Sequence, residues 1–271
     1  MGSGSVNARK ARLEALRRQI AKAAGFFPRG EEAMPFGIPE IDSCLNGGLL
    51  RRALHEIAAA DYRSQPAALG FLLALTKISQ KIRETQKRIP AVELTPSEPV
   101  DPQRGVVLWP VTQRANAFGR PCPPGLKFFG LDPARILFVR CANDRDCLWA
   151  MEEGLRLGGI AGVIGARAKT MDLAASRRLQ LAAEQANTPV FLLRNHNDKA
   201  PSAAVTRWRI SPAPSARDEF CFYKNVRFRV ALDYARSGKT GEWVVEWNHD
   251  ALSLRLSSVL GNRAAGEDRA A

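Results

Sequence analysis

The sequence predicts an α/β fold: a mostly parallel sheet flanked by helices, with an antiparallel hairpin extension at the C-terminal side. Short apolar runs, suited to strands buried on both faces, alternate with amphipathic segments of helical length between residues 105 and 194. After residue 212 apolar and polar residues alternate one by one, as in antiparallel strands with one solvent-exposed face. The 271 residues are enough for one complete hydrophobic core.

The N-terminal segment, residues 1–34, is predicted to be a basic amphipathic helix followed by a linker. Leu13, Leu16 and Ile20 recur at three- and four-residue steps, so they form one apolar stripe on the helix. We interpret this stripe as a candidate contact with a partner or a second subunit. Packing against the chain's own core and service as a basic nucleic-acid arm are the alternatives.

Residues 35–212 are predicted to form the α/β core. Residues 85–104 contain four prolines without periodicity, so we expect a flexible insertion there. The predicted strands are 53–59, 105–111, 135–141, 159–166 and 188–194, and the predicted helices are 67–83, 144–157 and 173–185.

Residues 213–260 are predicted to form the antiparallel extension, and residues 261–271 a frayed tail. The extension is rich in aromatic residues, which are common anchors of protein interfaces. Their alternation along predicted strands is equally consistent with a place in the core. The candidate docking residues are Phe222, Tyr223, Trp243 and Trp247.

Composition and charge narrow the functional classes. Lysine and arginine number 40 against 27 aspartate and glutamate, and the formal charge of +13 favours a polyanionic partner. No apolar run is long enough to span a membrane and no secretory signal precedes the core, so we expect a cytoplasmic protein without membrane contact. The five cysteines are widely spaced, and we expect neither a disulfide nor a metal site.

Several segments resemble known proteins when they are taken together. The segments 36–42, 45–49 and 54–57 resemble the approach to the nucleotide loop of RecA-type proteins. Four further segments are similar to the inducible mutagenesis protein A (ImuA) family, a RecA-related group: 130–135, 148–156, 176–184 and 206–209. The resemblance covers roughly residues 35 to 250.

This resemblance implies a RecA-like fold and a role in damage-induced translesion DNA synthesis. The partners it implies are an ImuB-type Y-family-like polymerase subunit and an error-prone replicative-type DNA polymerase, with RecA and single-stranded DNA as further candidates.

The nucleotide chemistry of RecA-type proteins is missing from the matching positions. A phosphate loop needs glycines, a lysine and a Ser/Thr hydroxyl. The matching loop, residues 58–66, contains no glycine; its degenerate positions are Ala59, Ser64, Gln65 and Pro66. The strand at 159–166 ends without the aspartate that holds magnesium, and no acidic residue lies between Arg104 and Asp132 to orient a water. We therefore predict a protein that is not an enzyme and binds no cofactor.

In RecA-like proteins DNA is held by loops that follow the central strands. If this chain does the same, its basic residues in the matching regions would bind phosphates without sequence preference. The alternative for each is pairing with a neighbouring acid. The candidates are Arg167, Lys169, Arg177, Arg178, Arg194, Lys199, Arg207 and Arg209.

Two other functions are compatible with the sequence. Degenerate RecA-like proteins include SulA-type cell-division inhibitors and other protein-interaction modules. A weak RecA-like ATPase would need a phosphate loop elsewhere, and the one Gly-Lys-Thr, residues 238–240, lies between two β-runs rather than before a helix. We interpret that segment as a hairpin turn.

Overall fold

The computed structural model describes residues 33–86, 105–112, 122–166, 171–215 and 225–261. Within these ranges the strands follow the apolar runs of the sequence closely. The strands are β1 (Ala33–Met34), β2 (Leu49–Leu50), β3 (Leu54–Ala59), β4 (Val106–Val111), β5 (Ile136–Arg140), β6 (Ile160–Ala166), β7 (Val190–Arg194), β8 (Thr206–Ala213), β9 (Val226–Ala235), β10 (Gly241–Asn248) and β11 (Ser253–Gly261).

Nine of these strands form one sheet in the order β11-β10-β9-β8-β3-β7-β6-β4-β5. The six strands from β8 to β5 are parallel to one another. Strands β9, β10 and β11 continue the sheet in antiparallel pairing beyond β8. The predicted fold class, a mostly parallel sheet with a C-terminal antiparallel extension, is confirmed. β1 and β2 pair separately as a two-stranded sheet.

The helices cover the two faces of the sheet unequally. Helix α2 (Gln65–Gln86) packs on one face, where its Phe71 and Leu72 join the core of Trp208 and Phe228. Helices α4 (Asp144–Leu157) and α5 (Leu173–Ala186) pack on the opposite face of the parallel strands. The helices in the described ranges are α1 (Pro39–Cys44), α2 (Gln65–Gln86), α3 (Pro123–Phe128), α4 (Asp144–Leu157) and α5 (Leu173–Ala186).

Local capping sets the ends of α4 and α5. The side chains of Asn143 and Asp172 accept hydrogen bonds from the third residue of each helix, at Asp146 N and Ala175 N. Helix α4 is followed by Gly158 at φ 74°, a left-handed angle that favours glycine. These signals explain why α4 spans the residues predicted from the sequence, 144–157.

Strand β8 connects the two parts of the sheet, and the sequence analysis did not predict it as a strand. It runs parallel to β3 on one side and antiparallel to β9 on the other. The boundary expected near residue 212 therefore falls at the end of a strand shared by both parts. The antiparallel strands contribute Trp243 and Trp247 to the same core that contains α2.

Candidate functional site

The loop after β3 forms a capped turn at the carboxyl-terminal edge of the sheet. Residues Tyr62–Ser64 make one turn of 3-10 helix, and α2 begins immediately after it at Gln65. The Asp61 carboxylate accepts hydrogen bonds from the backbone N and the hydroxyl of Ser64, at 2.8 Å and 2.9 Å. These two bonds lower the pKa of Asp61. The backbone N–H of Ser64, the third residue of this turn, is thus already bonded to a carboxylate of the chain itself.

Tyr62 projects from this turn and is 63% exposed. Its ring lies edge-on to the imidazole of His196, with 6.5 Å between the ring centroids. Arg63, the next residue, is also exposed. Neither Tyr62 nor His196 was predicted as a site residue from the sequence, although an aromatic residue inside a polar turn after a buried strand was a visible signal.

The loop after β7 is held by a buried arginine. Arg194 is 7% exposed and donates to Glu56 Oε2 at 2.6 Å and to Ala200 O at 3.1 Å. Its Nη2 lies 2.8 Å from an oxygen of Asp198. Burial by itself would lower the pKa of Arg194, but the bonds to Asp198 and the charge of Glu56 hold it above its ordinary value. The prediction that Arg194 contacts DNA is therefore wrong, because its guanidinium is enclosed and paired.

Arg207 shares the same glutamate, but its side chain is 30% exposed, and its predicted contact with DNA stays a prediction. Its Nε lies 3.1 Å from Glu56 Oε2, and the guanidinium carbon lies 5.8 Å from the centre of the Tyr234 ring. Its Nη2 donates to the Ser202 hydroxyl at 3.2 Å. Strand pairing places Arg207 directly beside Glu56, which explains the ion pair between the two side chains.

The other predicted DNA contacts divide into three groups. Arg209 makes two hydrogen bonds to Asp233, at 2.8 Å and 2.9 Å, and Arg178 lies 3.3 Å from Glu152. Arg177 and Lys199 are exposed, and no described carboxylate lies within 4.0 Å of either. Arg167 and Lys169 lie outside the described residues.

The aromatic docking residues predicted on β10 are part of the core. Trp243 is 2% exposed and Trp247 is fully buried, with its ring 5.6 Å from that of Phe129. Because β10 alternates strictly, both tryptophans point toward α2 and neither reaches solvent. Their prediction as docking residues is therefore wrong. The remaining candidates lie outside the described residues: Leu13, Leu16, Ile20, Phe222 and Tyr223.

A buried polar chain joins β3 and β8 at the amino-terminal ends of these two strands. The indole Nε1 of Trp208 donates to Thr206 Oγ1 at 2.9 Å, and Thr206 lies 2.8 Å from His55 Nδ1. His55 Nε2 lies 2.8 Å from the Leu50 carbonyl, which can only accept, so Nε2 carries the proton and Nδ1 accepts from Thr206. Complete burial lowers the pKa of His55 to about 4. The imidazole is therefore neutral at physiological pH.

A cavity of about 230 Å³ opens at the opposite, amino-terminal edge of the sheet. Arg51 and Arg83 line it, and Arg83 donates to the Ile160 carbonyl. Helices α2 and α5 both end at this edge, where the negative ends of helix dipoles attract cations. Arg83 thus binds a backbone carbonyl at the start of β6, and the two arginines make this cavity basic.

Among the described residues, no group of three or more His, Cys, Asp or Glu side chains is arranged to hold a metal ion. Over the same ranges, no helix combines the length and apolarity that a membrane crossing requires.

Comparison with known proteins identifies the family. No protein-family model matches the chain. It is 31% identical over 244 residues to Protein ImuA of Caulobacter vibrioides strain NA1000 / CB15N, a match that covers 84% of this chain and 90% of the relative. Protein ImuA of C. vibrioides strain ATCC 19089 / CIP 103742 / CB 15 matches with the same identity and coverage. Because the match exceeds 30% identity and covers most of both chains, the chain belongs to the ImuA family.

Proposed function

We propose that this protein is a non-catalytic accessory factor of damage-induced mutagenesis that acts as an adaptor within a translesion polymerase complex. Membership of the ImuA family, whose name denotes inducible mutagenesis, is the observation that carries the proposal. The proposed partners are an ImuB-type polymerase subunit and an error-prone replicative-type DNA polymerase. RecA is a further candidate partner.

The geometry of the loop after β3 supports the non-catalytic part of the proposal. A phosphate loop offers free backbone N–H groups to an anion, whereas here Asp61 takes the Ser64 N–H and brings a negative charge. Pro66 lacks an N–H, and Gln65 stands where the lysine is expected. At the neighbouring strand end, β6 finishes with Ala166 and supplies no carboxylate for magnesium.

Phosphate release from ATP tests the non-catalytic part. We expect the purified protein to release no inorganic phosphate above a protein-free blank in a continuous phosphate assay. Residual release that a Gln65→Ala variant leaves unchanged would be assigned to a contaminant. Steady release that follows the protein through purification and falls in the Gln65→Ala variant would contradict the proposal.

Reconstitution with purified partners tests the adaptor part. We expect the protein to comigrate with the ImuB-type subunit in size-exclusion chromatography, and the replicative-type polymerase to join that complex. Failure of all three proteins to associate at concentrations of about 10 µM, well above the Kd of a stable interface, would contradict it.

The apolar stripe of Leu13, Leu16 and Ile20 remains our proposed contact with a partner or a second subunit. Deletion of residues 1–25 is expected to abolish either comigration or self-association, measured by light scattering. Deletion of the tail, residues 262–271, is the matched control. A deletion of 1–25 that changes neither mass nor comigration would remove the stripe from the proposal.

A further inference from the structure

Two loops meet at the carboxyl-terminal edge of the sheet, where open α/β sheets usually bind ligands. The loop after β3 carries Tyr62, and the loop after β7 carries His196. The planes of the two rings are inclined at 76°, and Tyr62 is 63% exposed.

Both loops are held in place by bonds beneath the surface. Asp61 fixes the turn under Tyr62 through Ser64. Arg194 fixes the loop of His196 from inside, through Asp198 and the Ala200 carbonyl. An aromatic surface on two anchored loops loses little conformational entropy when a planar group stacks on it.

One polar atom of this site has no partner. The Nδ1 atom of His196 is buried and makes no hydrogen bond with any described residue. Because this atom is buried, a ligand on the surface cannot bond it, and the surface offered for stacking is the exposed ring of Tyr62.

The charges around the two rings favour an anion. Arg63 and Lys199 are exposed, one on each loop, and no described carboxylate lies within 4.0 Å of either side chain. The two acids nearby are already engaged, Asp61 by Ser64 and Asp198 by Arg194. Each loop thus carries an exposed cation close in the chain to its aromatic ring, Arg63 beside Tyr62 and Lys199 three residues after His196. Exposed aromatic and basic side chains together match the chemistry of a nucleotide unit, a planar base flanked by phosphates.

We propose that Tyr62 and His196 form a stacking platform for a base of single-stranded nucleic acid, whose flanking phosphates bind Arg63 and Lys199. The inference deepens the proposed function and rests on it, since an adaptor of template-copying polymerases works beside single-stranded template. The proposed ligand contacts differ from most of the contacts predicted from the sequence. Arg194 positions the loop, and the contacts with the base are made by aromatic rings.

Fluorescence anisotropy with labelled oligonucleotides of one length tests the platform. The probes are oligothymidylate, oligouridylate and an abasic strand with the same phosphates. We expect base-containing strands to bind more tightly than the abasic strand. Tyr62→Ala should weaken the binding of base-containing strands roughly 5- to 100-fold and remove their advantage over the abasic strand. Tyr62→Phe should bind like the unaltered protein. The thymidylate and uridylate arms distinguish DNA from RNA as the source of the base.

Tyr234→Ala is the matched control, since Tyr234 is a partly exposed tyrosine on β9. It should leave binding unchanged. Arg63→Gln and Lys199→Gln should each reduce the slope of log affinity against log salt by about one. Equal binding of the abasic strand by the unaltered protein, or normal binding by Tyr62→Ala, would overturn the platform.

The outcomes separate this inference from the proposed function. Loss of comigration with the ImuB-type subunit in Tyr62→Ala, with oligonucleotide binding intact, would make this surface a protein-docking site and overturn the platform. Intact comigration together with base-independent binding would overturn the platform and leave the adaptor standing. Failure of comigration in the unaltered protein would instead contradict the adaptor, whatever the oligonucleotides do.

Discussion

The parallel and antiparallel halves of the sheet differ in how deeply their ion pairs are buried. In the parallel half helices cover both faces, and the charged pair at its centre, Glu56 and Arg194, is buried. In the antiparallel half α2 covers one face, and the other carries cross-strand pairs that remain partly exposed, such as Arg209–Asp233 and Arg227–Glu246.

This difference shows that the sequence around an arginine on a strand does not reveal whether its guanidinium is buried or exposed. Arg194 and Arg209 were predicted as equivalent DNA contacts. A buried charge must be paired because its desolvation costs several kcal/mol, whereas an exposed pair contributes about 0–1 kcal/mol. The first arginine therefore organises the protein, and the second is one member of a weak surface pair.

The largest effect is expected where the buried pair is broken. Glu56→Ala removes the carboxylate that both Arg194 and Arg207 contact, and should lower the free energy of unfolding by about 3–5 kcal/mol, because buried Arg194 then keeps Asp198 as its one described carboxylate partner. Glu242→Ala, which removes the partner of Arg229 at 3.7 Å on the open face, is the control and should cost less than about 1 kcal/mol. Urea denaturation measures both. Similar losses in the two variants would contradict the contrast between the halves.

Substitution of one buried and one exposed tryptophan tests the corresponding contrast between buried and exposed apolar side chains. Trp247→Ala on β10 should cost about 4 kcal/mol, because it removes a fully buried ring from the core. Trp149→Ala on α4, where the ring is 65% exposed, should change the free energy of unfolding by about 0.5 kcal/mol or less. Thermal and urea unfolding of both variants check this, and a stable Trp247→Ala protein would return that residue to the list of docking candidates.

The buried histidine makes the junction of the halves sensitive to acid. Because the pKa of His55 is about 4 in the folded protein and about 6.5 in an unfolded chain, the unfolded state binds the proton first. The stability from a neutral His55 is thus complete above about pH 6.5 and is lost as the pH falls toward 4. Between about pH 7.5 and pH 5 the free energy of unfolding should fall by about 2 kcal/mol from this group.

His55→Gln is expected to flatten that part of the pH profile, measured by urea denaturation across the range. His249→Gln, which alters a surface histidine, should leave the profile unchanged and is the control. An unaltered slope in His55→Gln would show that other groups cause the acid sensitivity.

The smallest effect is expected at the open face. A double-mutant cycle of Arg209→Ala and Asp233→Ala should give a coupling energy of about 0.2–1 kcal/mol, decreasing with salt. Coupling above about 2 kcal/mol, insensitive to salt, would mean that this pair behaves like the buried one. The comparison between halves would then fail.

The sequence by itself determined most of the elements, though not β8, and which residues of a strand share one side. Period-two alternation on β10 places Trp243 and Trp247 on one side, and continuous apolar runs indicated the strands covered on both faces. Capping residues such as Asn143 fixed the limits of the helices. These features depend on neighbours within a few positions, so the sequence displays them directly.

The tertiary structure alone decided which groups meet. Glu56 and Arg194 are 138 positions apart and become partners because β3 and β7 are adjacent in the sheet. Tyr62 and His196 meet for the same reason, since their loops leave the same edge. Strand order brings distant residues together and determines whether a charge is enclosed or exposed, and no local period in the sequence carries that information.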